Sequence, residues 1–168
     1  MKKIVSSLAV AGLALGILVV RAGSETKPVN AFDRMKTLVG TWTANGPDGK
    51  PFTNTVRLVS NDTAIEEEFQ GDKHGQMVTL YTADGDRLAL THYCSIGNQP
   101  HMETPAVSAG SADFPFTFVS ATNLASNDDM HMSQMTLKID DAEHFSETWT
   151  MHMGGKDQNQ IFRFTRQK

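Results

Sequence analysis

Apolar and polar residues alternate in short runs from Gly40 to the end of the chain, as strands with one buried face require. Turn-forming residues interrupt these runs about every 8 to 14 positions. The pattern predicts ten strands, near 40–45, 52–60, 63–70, 76–83, 86–94, 100–108, 114–121, 130–139, 144–153 and 158–166.

The connections between these runs indicate an antiparallel, all-β fold. Asp84-Gly85 and Gly154-Gly155 are typical of two-residue hairpin turns. No long amphipathic run lies between strands, so helical crossovers to parallel strands are excluded. Ten sequential strands close most simply into an up-and-down antiparallel β-barrel, because closure removes both sheet edges. A β-sandwich is the alternative.

One short helix is predicted before the first strand, over 31–39. Phe32, Met35, Leu38 and Val39 recur at helical spacing, and Gly40 can end the helix.

Strand alternation also predicts which residues face the interior. Leu88, Leu90, His92 and Cys94 share one face of the fifth strand. Further predicted faces are Ile65, Glu67 and Phe69 on the third strand, and His131, Ser133, Met135, Leu137 and Ile139 on the eighth. A one-residue bulge would exchange the faces of any strand.

The first 22 residues have the features of a cleavable secretory signal peptide: a basic start, an apolar run over 4–20, and small residues at −3 and −1 in Val20-Arg21-Ala22. We therefore divide the chain into a signal peptide (1–22), a flexible leader (23–30) and a barrel domain (31–168). We expect a secreted or periplasmic protein without stable membrane insertion after cleavage. An uncleaved membrane anchor is the alternative, although 17 residues is short for spanning a bilayer.

Composition and charge narrow the expected partners. The 168-residue chain has a net charge of −4, and cleavage would remove three basic residues and make it −7. Nucleic acids and anionic membrane surfaces attract basic faces, so neither is expected as a partner. The single cysteine, Cys94, excludes a disulfide framework. The oligomeric state stays open.

A short helix, then Leu38-Val39-Gly40-Thr41-Trp42, then a run of antiparallel strands resembles the calycins, which include lipocalins, fatty-acid-binding proteins and nitrobindin-like barrels. The resemblance implies that Trp42 fills the closed end of the barrel. It also implies that an arginine near the carboxyl terminus packs over this indole, with Arg166 the expected residue and Arg163 the alternative. The segment 91–100 is similar to a run in small exported bacterial proteins of unassigned function.

A candidate site lies where the fifth strand ends. His92 and Cys94 on one face suit metal ligation, or a nucleophile with its base. Asn98 and Gln99 in the following loop, and Met102 after it, could contact a ligand at a barrel mouth. The alternatives are a core histidine beside a small apolar thiol, and an ordinary Gly-Asn-Gln-Pro turn.

Three further polar residues interrupt apolar faces. Glu67 lies between Ile65 and Phe69, so an interior position would require pairing or protonation, with His92, His131 or Arg166 as candidate partners. A solvated acidic rim formed with its neighbours is the alternative. His131 is predicted to converge with His92 on one cavity. Glu147, on the face of Trp149, invites the same interpretation as Glu67.

Methionine and histidine cluster at Met130-His131-Met132 and Met151-His152-Met153, and such ligands suit copper(I). Alternation splits each triplet between two faces, which favours core or cavity lining over copper. Haem is a hypothesis by analogy with nitrobindin-like barrels, and covalent haem is excluded because Cys-x-x-Cys-His is absent.

Three functions follow. The leading one is a barrel that binds a small apolar or amphipathic molecule, with Met and Phe lining the cavity and His and Asn making polar contacts. The alternatives are haem or copper binding through His, Met or Cys, and an enzyme that uses His92 as base or Cys94 as nucleophile. No motif of P-loop hydrolases, zincins or α/β-hydrolases occurs, and enzyme activity is the less favoured reading.

Overall fold

The structure, a computed structural model, describes residues 30–71 and 75–168. The predicted signal peptide and all but the last residue of the leader lie outside the described residues. A helix α1 (Ala31–Met35) continues as a 3-10 turn over Lys36–Leu38. The strands are β1 (Gly40–Asn45), β2 (Pro51–Val59), β3 (Ala64–Gly71), β4 (Gly75–Asp84), β5 (Arg87–Tyr93), β6 (Gln99–Glu103), β7 (Asp113–Thr122), β8 (His131–Ile139), β9 (His144–Met153) and β10 (Lys156–Arg166).

The ten strands form a closed antiparallel barrel in which each strand pairs with its neighbours in sequence. β10 pairs with β1 through Trp42–Arg166 and Thr43–Thr165, which closes the sheet. The predicted all-β barrel is confirmed, and the β-sandwich alternative is wrong. In the described part of the chain, no helix combines the length and apolar character needed to cross a membrane.

Two element bounds differ from the prediction. The α-helix is shorter than 31–39, because Val39 already has an extended ψ of 126° that leads into β1. The sixth strand ends at Glu103 rather than near residue 108. Thr104 leaves the ladder and exchanges hydrogen bonds with the backbone of Leu88, and Pro105 follows without an N–H to donate.

A cation–π contact closes one end of the barrel. Trp42 is fully buried, its Nε1 donates to Leu38 O at 2.8 Å, and the Arg166 guanidinium carbon lies 4.0 Å from the indole centroid. The same guanidinium donates to the carbonyls of Thr37, Val39 and Ala142. Arg166, not Arg163, therefore covers Trp42.

Gly40 makes this arrangement sterically accessible. Its φ is +144°, a conformation that L side chains rarely adopt, and a Cβ there would lie 2.5 Å from Arg166 Nη1. A side chain at this position would displace the Arg166 guanidinium from the indole of Trp42.

The predicted interior faces hold on β3 and β5, where Ile65, Glu67 and Phe69, and Leu88, Leu90 and His92, are buried. On β8 the prediction is wrong at its beginning. Met132 and Gln134 pair with the adjacent residues Met151 and Thr150 of β9, so Ser133 is an extra, bulged residue. The bulge shifts the alternation by one position, so Met132 faces the interior cavity in place of His131.

Candidate functional site

A cavity of about 430 Å³ opens at the end of the barrel opposite Trp42. Polar side chains occur mainly around its entrance, from the β1–β2 turn, the chain after β5 and the start of β10. The apolar side chains and the thiol along its wall are Phe52, Phe69, Met77, Cys94, Met132, Trp149, Met151 and Phe162.

Aromatic rings from three strands build one side of this wall. Phe52 of β2 stacks on Phe69 of β3 with centroids 5.6 Å apart, and the edge of Phe162 of β10 meets Phe52 at 5.5 Å. These contacts hold the rings in position around an open volume, because aromatic pairs favour offset and edge-to-face geometry. Methionines of the flanking strands β4, β8 and β9 continue the wall on either side of these rings, and their side chains adapt readily to the shape of a ligand.

A polar layer lies directly beneath this cavity. Its five members are interior side chains that are no more than 2% exposed, and each is two positions along the chain from a residue of the cavity wall. The members, with the wall residue in parentheses, are Asn54 (Phe52), Glu67 (Phe69), Thr79 (Met77), His92 (Cys94) and Glu147 (Trp149).

Glu67 is the centre of the polar layer. Asn54 Nδ2 donates to its Oε1 at 2.5 Å, and the Tyr81 hydroxyl donates to its Oε2 at 2.6 Å. Burial raises the pKa of Glu67, and these donors oppose the rise. Neutral donors therefore hold this carboxyl group, in place of the predicted His92, His131 or Arg166. Glu67 is not part of a solvated acidic rim, since it is 1% exposed, while its neighbours Glu66 and Glu68 pair with Arg57 on the other face.

Glu147 is the second buried carboxyl group. It accepts a hydrogen bond from Trp149 Nε1 at 2.8 Å through Oε2, and its Oε1 has no hydrogen-bond partner among the described residues. Burial, and then the charge of Glu67, raise the pKa of Glu147 well above its ordinary value. Of the two buried carboxyl groups, Glu147 is therefore the one that holds a proton more readily.

His92 completes the polar layer at β5. Its Nδ1 lies 2.9 Å from Thr79 Oγ1, and its ring centroid is 4.6 Å from that of Trp149. Burial lowers the pKa of His92 to about 4, so the imidazole is neutral at pH 7. Its Nε2 is buried and has no hydrogen-bond partner among the described residues.

Cys94 lies on the cavity wall, two positions after His92, as the alternation of β5 predicts. Burial raises the pKa of its thiol, and nearby backbone N–H groups oppose the rise. A nucleophilic cysteine needs the opposite shift, so the thiol functions in this wall as a small apolar group.

The loop residues predicted as ligand contacts have partners within the chain. Asn98 Nδ2 donates to Met130 O at 2.8 Å, which ties the β5–β6 loop to the start of β8. Gln99 Oε1 accepts from Thr122 Oγ1 at 2.7 Å. Met102 is buried opposite Leu90 in the core. Asn98, Gln99 and Met102 do not line the cavity.

His131 also lies away from the cavity wall. Its Nδ1 is 2.7 Å from Asp129 O, and its ring contacts Phe118 at 4.7 Å and His152 at 5.4 Å. His152 in turn contacts Asp157 at 2.7 Å. Methionine and histidine lie on different faces as predicted, but on β8 the bulge brings Met132 to the cavity wall in place of His131, so His131 does not join His92 at one cavity. Within residues 30–71 and 75–168, no three His, Cys, Asp or Glu side chains are placed to hold a metal ion.

Asn54, Thr79 and Tyr81 were absent from the sequence-based candidates, yet they complete the polar layer and its hydrogen bonds. A signal exists for Asn54, which lies between Phe52 and Val56 on one face of β2 just as Glu67 lies between Ile65 and Phe69. Threonine and tyrosine are common in strands, so nothing in the sequence distinguishes Thr79 and Tyr81 as members of a polar layer.

Comparison of the chain with models of protein families and with curated proteins gives no match. Its function therefore has to be inferred from the chemistry of the cavity and the polar layer.

Proposed function

We propose that the protein binds a small, largely apolar molecule in the open end of the barrel. The observation that carries this proposal is the open cavity of about 430 Å³ with a wall of phenylalanine, methionine and tryptophan. Pockets for small ligands commonly measure about 300 to 1,000 Å³ and combine apolar walls with a few polar groups.

The entrance suits a ligand with some polar character. Lys50, Gln158, Asn159 and Gln160 surround it. The thiol on the wall has a raised pKa and the buried imidazole is neutral, a combination that favours binding over covalent chemistry.

We further propose that the barrel is of the calycin type. A short helix precedes Gly40-Thr41-Trp42, the indole is buried at the closed end, and Arg166 packs over it. This set of features supports the resemblance beyond strand number alone.

Binding of the neutral fluorophore N-phenyl-1-naphthylamine tests the proposed function. We expect enhanced fluorescence with the full chain, and at least tenfold weaker binding by a Met132→Trp/Met151→Trp variant. These methionines are opposite one another on β8 and β9, so two indoles would obstruct the cavity.

A Val119→Trp/Met153→Trp variant is the matched control, because both positions are exposed and outside the cavity wall. It should bind the fluorophore as the unmodified chain does. Equal losses in the two double variants, or no binding by the unmodified chain, would refute the proposal. Added hemin with a His92-dependent Soret shift would favour the haem alternative instead.

A further inference from the structure

We propose that His131 and His152 together bind a divalent transition-metal ion, such as zinc or copper(II), on the barrel wall beside the cavity. The inference goes beyond the proposed function, since neither histidine lines the cavity. It rests on an imidazole pair: the two residues are directly opposite each other on β8 and β9, with ring centroids 5.4 Å apart. Side chains directly opposite on antiparallel strands are close neighbours, so both rings can reach one ion.

The distance between the two rings agrees with that of two imidazoles on one ion. Zinc binds an imidazole nitrogen at about 2.0 to 2.1 Å. With both Nε2 atoms at that distance and a tetrahedral angle between them, the ring centroids would be about 5 Å apart. The observed 5.4 Å therefore requires little movement of either ring.

Hydrogen bonds at Nδ1 leave Nε2 of both rings available to a metal. His131 Nδ1 is 2.7 Å from Asp129 O, a carbonyl oxygen that can only accept, so this nitrogen carries the hydrogen. His152 Nδ1 is 2.7 Å from Oδ1 of the exposed Asp157, and a carboxylate likewise accepts. In each neutral ring the lone pair is then on Nε2, which has no hydrogen bond among the described residues. Metal-binding histidines almost always donate their other N–H to a carboxylate or carbonyl in this way.

A metal ion can reach these nitrogens from solvent. The side chain of His152 is 23% exposed. His131 is only 4% exposed, but its Nε2 is not one of the wholly buried atoms without a partner, as His92 Nε2 is, so it keeps contact with solvent. The ring of Phe118, 4.7 Å away between centroids, packs against His131 and restricts its motion, which reduces the entropy lost on binding.

The charge around the imidazole pair favours a cation. Gly154 N donates to Asp128 O at 3.1 Å, so the loop before β8 lies against the turn between β9 and β10. These segments, 126–130 and 154–157, carry Asp128, Asp129 and Asp157, and their one basic residue is Lys156. The excess of negative charge raises the local concentration of cations.

Two imidazoles leave the other coordination positions of the ion to water, because zinc commonly binds four ligands. The site therefore does not need the third His, Cys, Asp or Glu ligand, which the described residues do not supply. It also gives the two Met-His-Met triplets a different role from copper(I) chelation. Met132 and Met151 belong to the cavity wall, while the histidines of the two triplets meet across the strands. Imidazole suits zinc, copper and nickel, whereas magnesium prefers oxygen ligands.

Calorimetric titration of the full chain with zinc chloride at pH 7.5, without an affinity tag and after treatment with EDTA, tests the inference. We expect one zinc ion per chain and at least about tenfold weaker binding by His152→Gln, since loss of even an outer partner of a metal ligand commonly costs about 10- to 100-fold. Binding by His152→Gln as tight as that of the unmodified chain, or no binding by the unmodified chain, would overturn the inference.

His144→Gln is the matched control. His144 Nδ1 also faces a carboxylate, at 3.0 Å from Asp141 Oδ1, but the residue opposite it on β10 is Thr165. This variant should bind zinc as the unmodified chain does, and equal weakening in both variants would overturn the inference. Magnesium chloride should not compete with zinc. Competition by magnesium at equal concentration would assign the ion to the aspartates instead of the imidazole pair.

Imidazole nitrogen NMR on the unmodified chain does not depend on the folding of a variant. We expect the Nε2 resonances of His131 and His152 to move together and to stop moving at one equivalent of zinc. Movement of only one of them would overturn the inference. These measurements do not involve the fluorophore, so their failure leaves the proposed function intact.

Discussion

The two ends of the barrel differ in whether their buried polar groups have hydrogen-bond partners. At the closed end, Trp42 Nε1 has a carbonyl partner and the Arg166 guanidinium donates to three backbone carbonyls over a filled core. Toward the open end, the cavity lies above a layer in which two buried polar atoms, Asn54 Oδ1 and His92 Nε2, have no partner among the described residues. The closed end is therefore built for stability, whereas the open end is the one to which we assign the proposed ligand, so substitutions at the two ends should differ in what they change.

The largest expected effect is the loss of stability in Trp42→Ala. Removing this fully buried indole should lower the free energy of unfolding by about 3 to 5 kcal/mol, the range for emptying a large aromatic core site. Phe162→Ala, on the half-buried cavity wall, should cost only about 1 kcal/mol because less surface returns to water. Urea unfolding measures both, and similar costs would contradict the distinction between the ends.

A smaller effect is expected from Arg166→Met. This change removes the cation–π contact and three hydrogen bonds to backbone carbonyls, for a cost of about 2 kcal/mol in a partly solvated site. Arg163→Met, on an exposed position of the same strand, should change the unfolding midpoint little. If fluorophore binding fell in Arg166→Met while the fold persisted, the two ends would not be independent.

The smallest expected effect, and the one most specific to the open end, is the pH response of Glu147→Gln. The raised pKa of Glu147 means that the folded state holds its proton more tightly than the unfolded state does, so this contribution to stability declines as pH rises above 4.5, the ordinary value. Glutamine imitates the protonated carboxyl group and should cost less than about 1 kcal/mol at pH 5.

Between pH 5 and pH 8 the unfolding midpoint of Glu147→Gln should therefore improve relative to that of the unmodified chain. The same substitution at the exposed Glu143 should show no such change. An identical pH response of all three proteins would mean that the pKa of Glu147 is not raised in the folded protein.

Much of the fold could be predicted because burial on one face leaves a period of two in the sequence. That period placed Leu88, Leu90 and His92 inside the barrel, whereas the position of Trp42 at the closed end was an expectation from the resemblance to calycins. The period could not reveal the bulge at Ser133. An inserted residue shifts the alternation of inward and outward positions, but the segment still has the composition of a strand. The position of such a bulge depends on how the strand pairs with its neighbour, and the sequence of a single strand carries no information on that pairing.

The candidate site was less predictable, because a layer joins residues distant in sequence. Glu67, His92 and Cys94 could be noted as polar residues or thiols on apolar faces, but their grouping with Asn54 and Thr79 requires the register of four adjacent strands. The cavity exists because Phe52, Met151 and their neighbours do not fill the barrel completely. Its volume depends on the combined size of interior side chains from many strands. Residue type along any one strand therefore gives only candidates.

The seam between β1 and β10 has a consequence for biosynthesis. Arg166 donates a hydrogen bond to the carbonyl of Val39, which is 127 positions earlier in the chain. Nearly the entire barrel must therefore be synthesised before β1 can pair with β10. Until then β1 has one unpaired edge, a surface that readily pairs with other chains. We therefore expect nascent chains shortened before β10 to depend on chaperones, and folding to be limited by this final long-range closure.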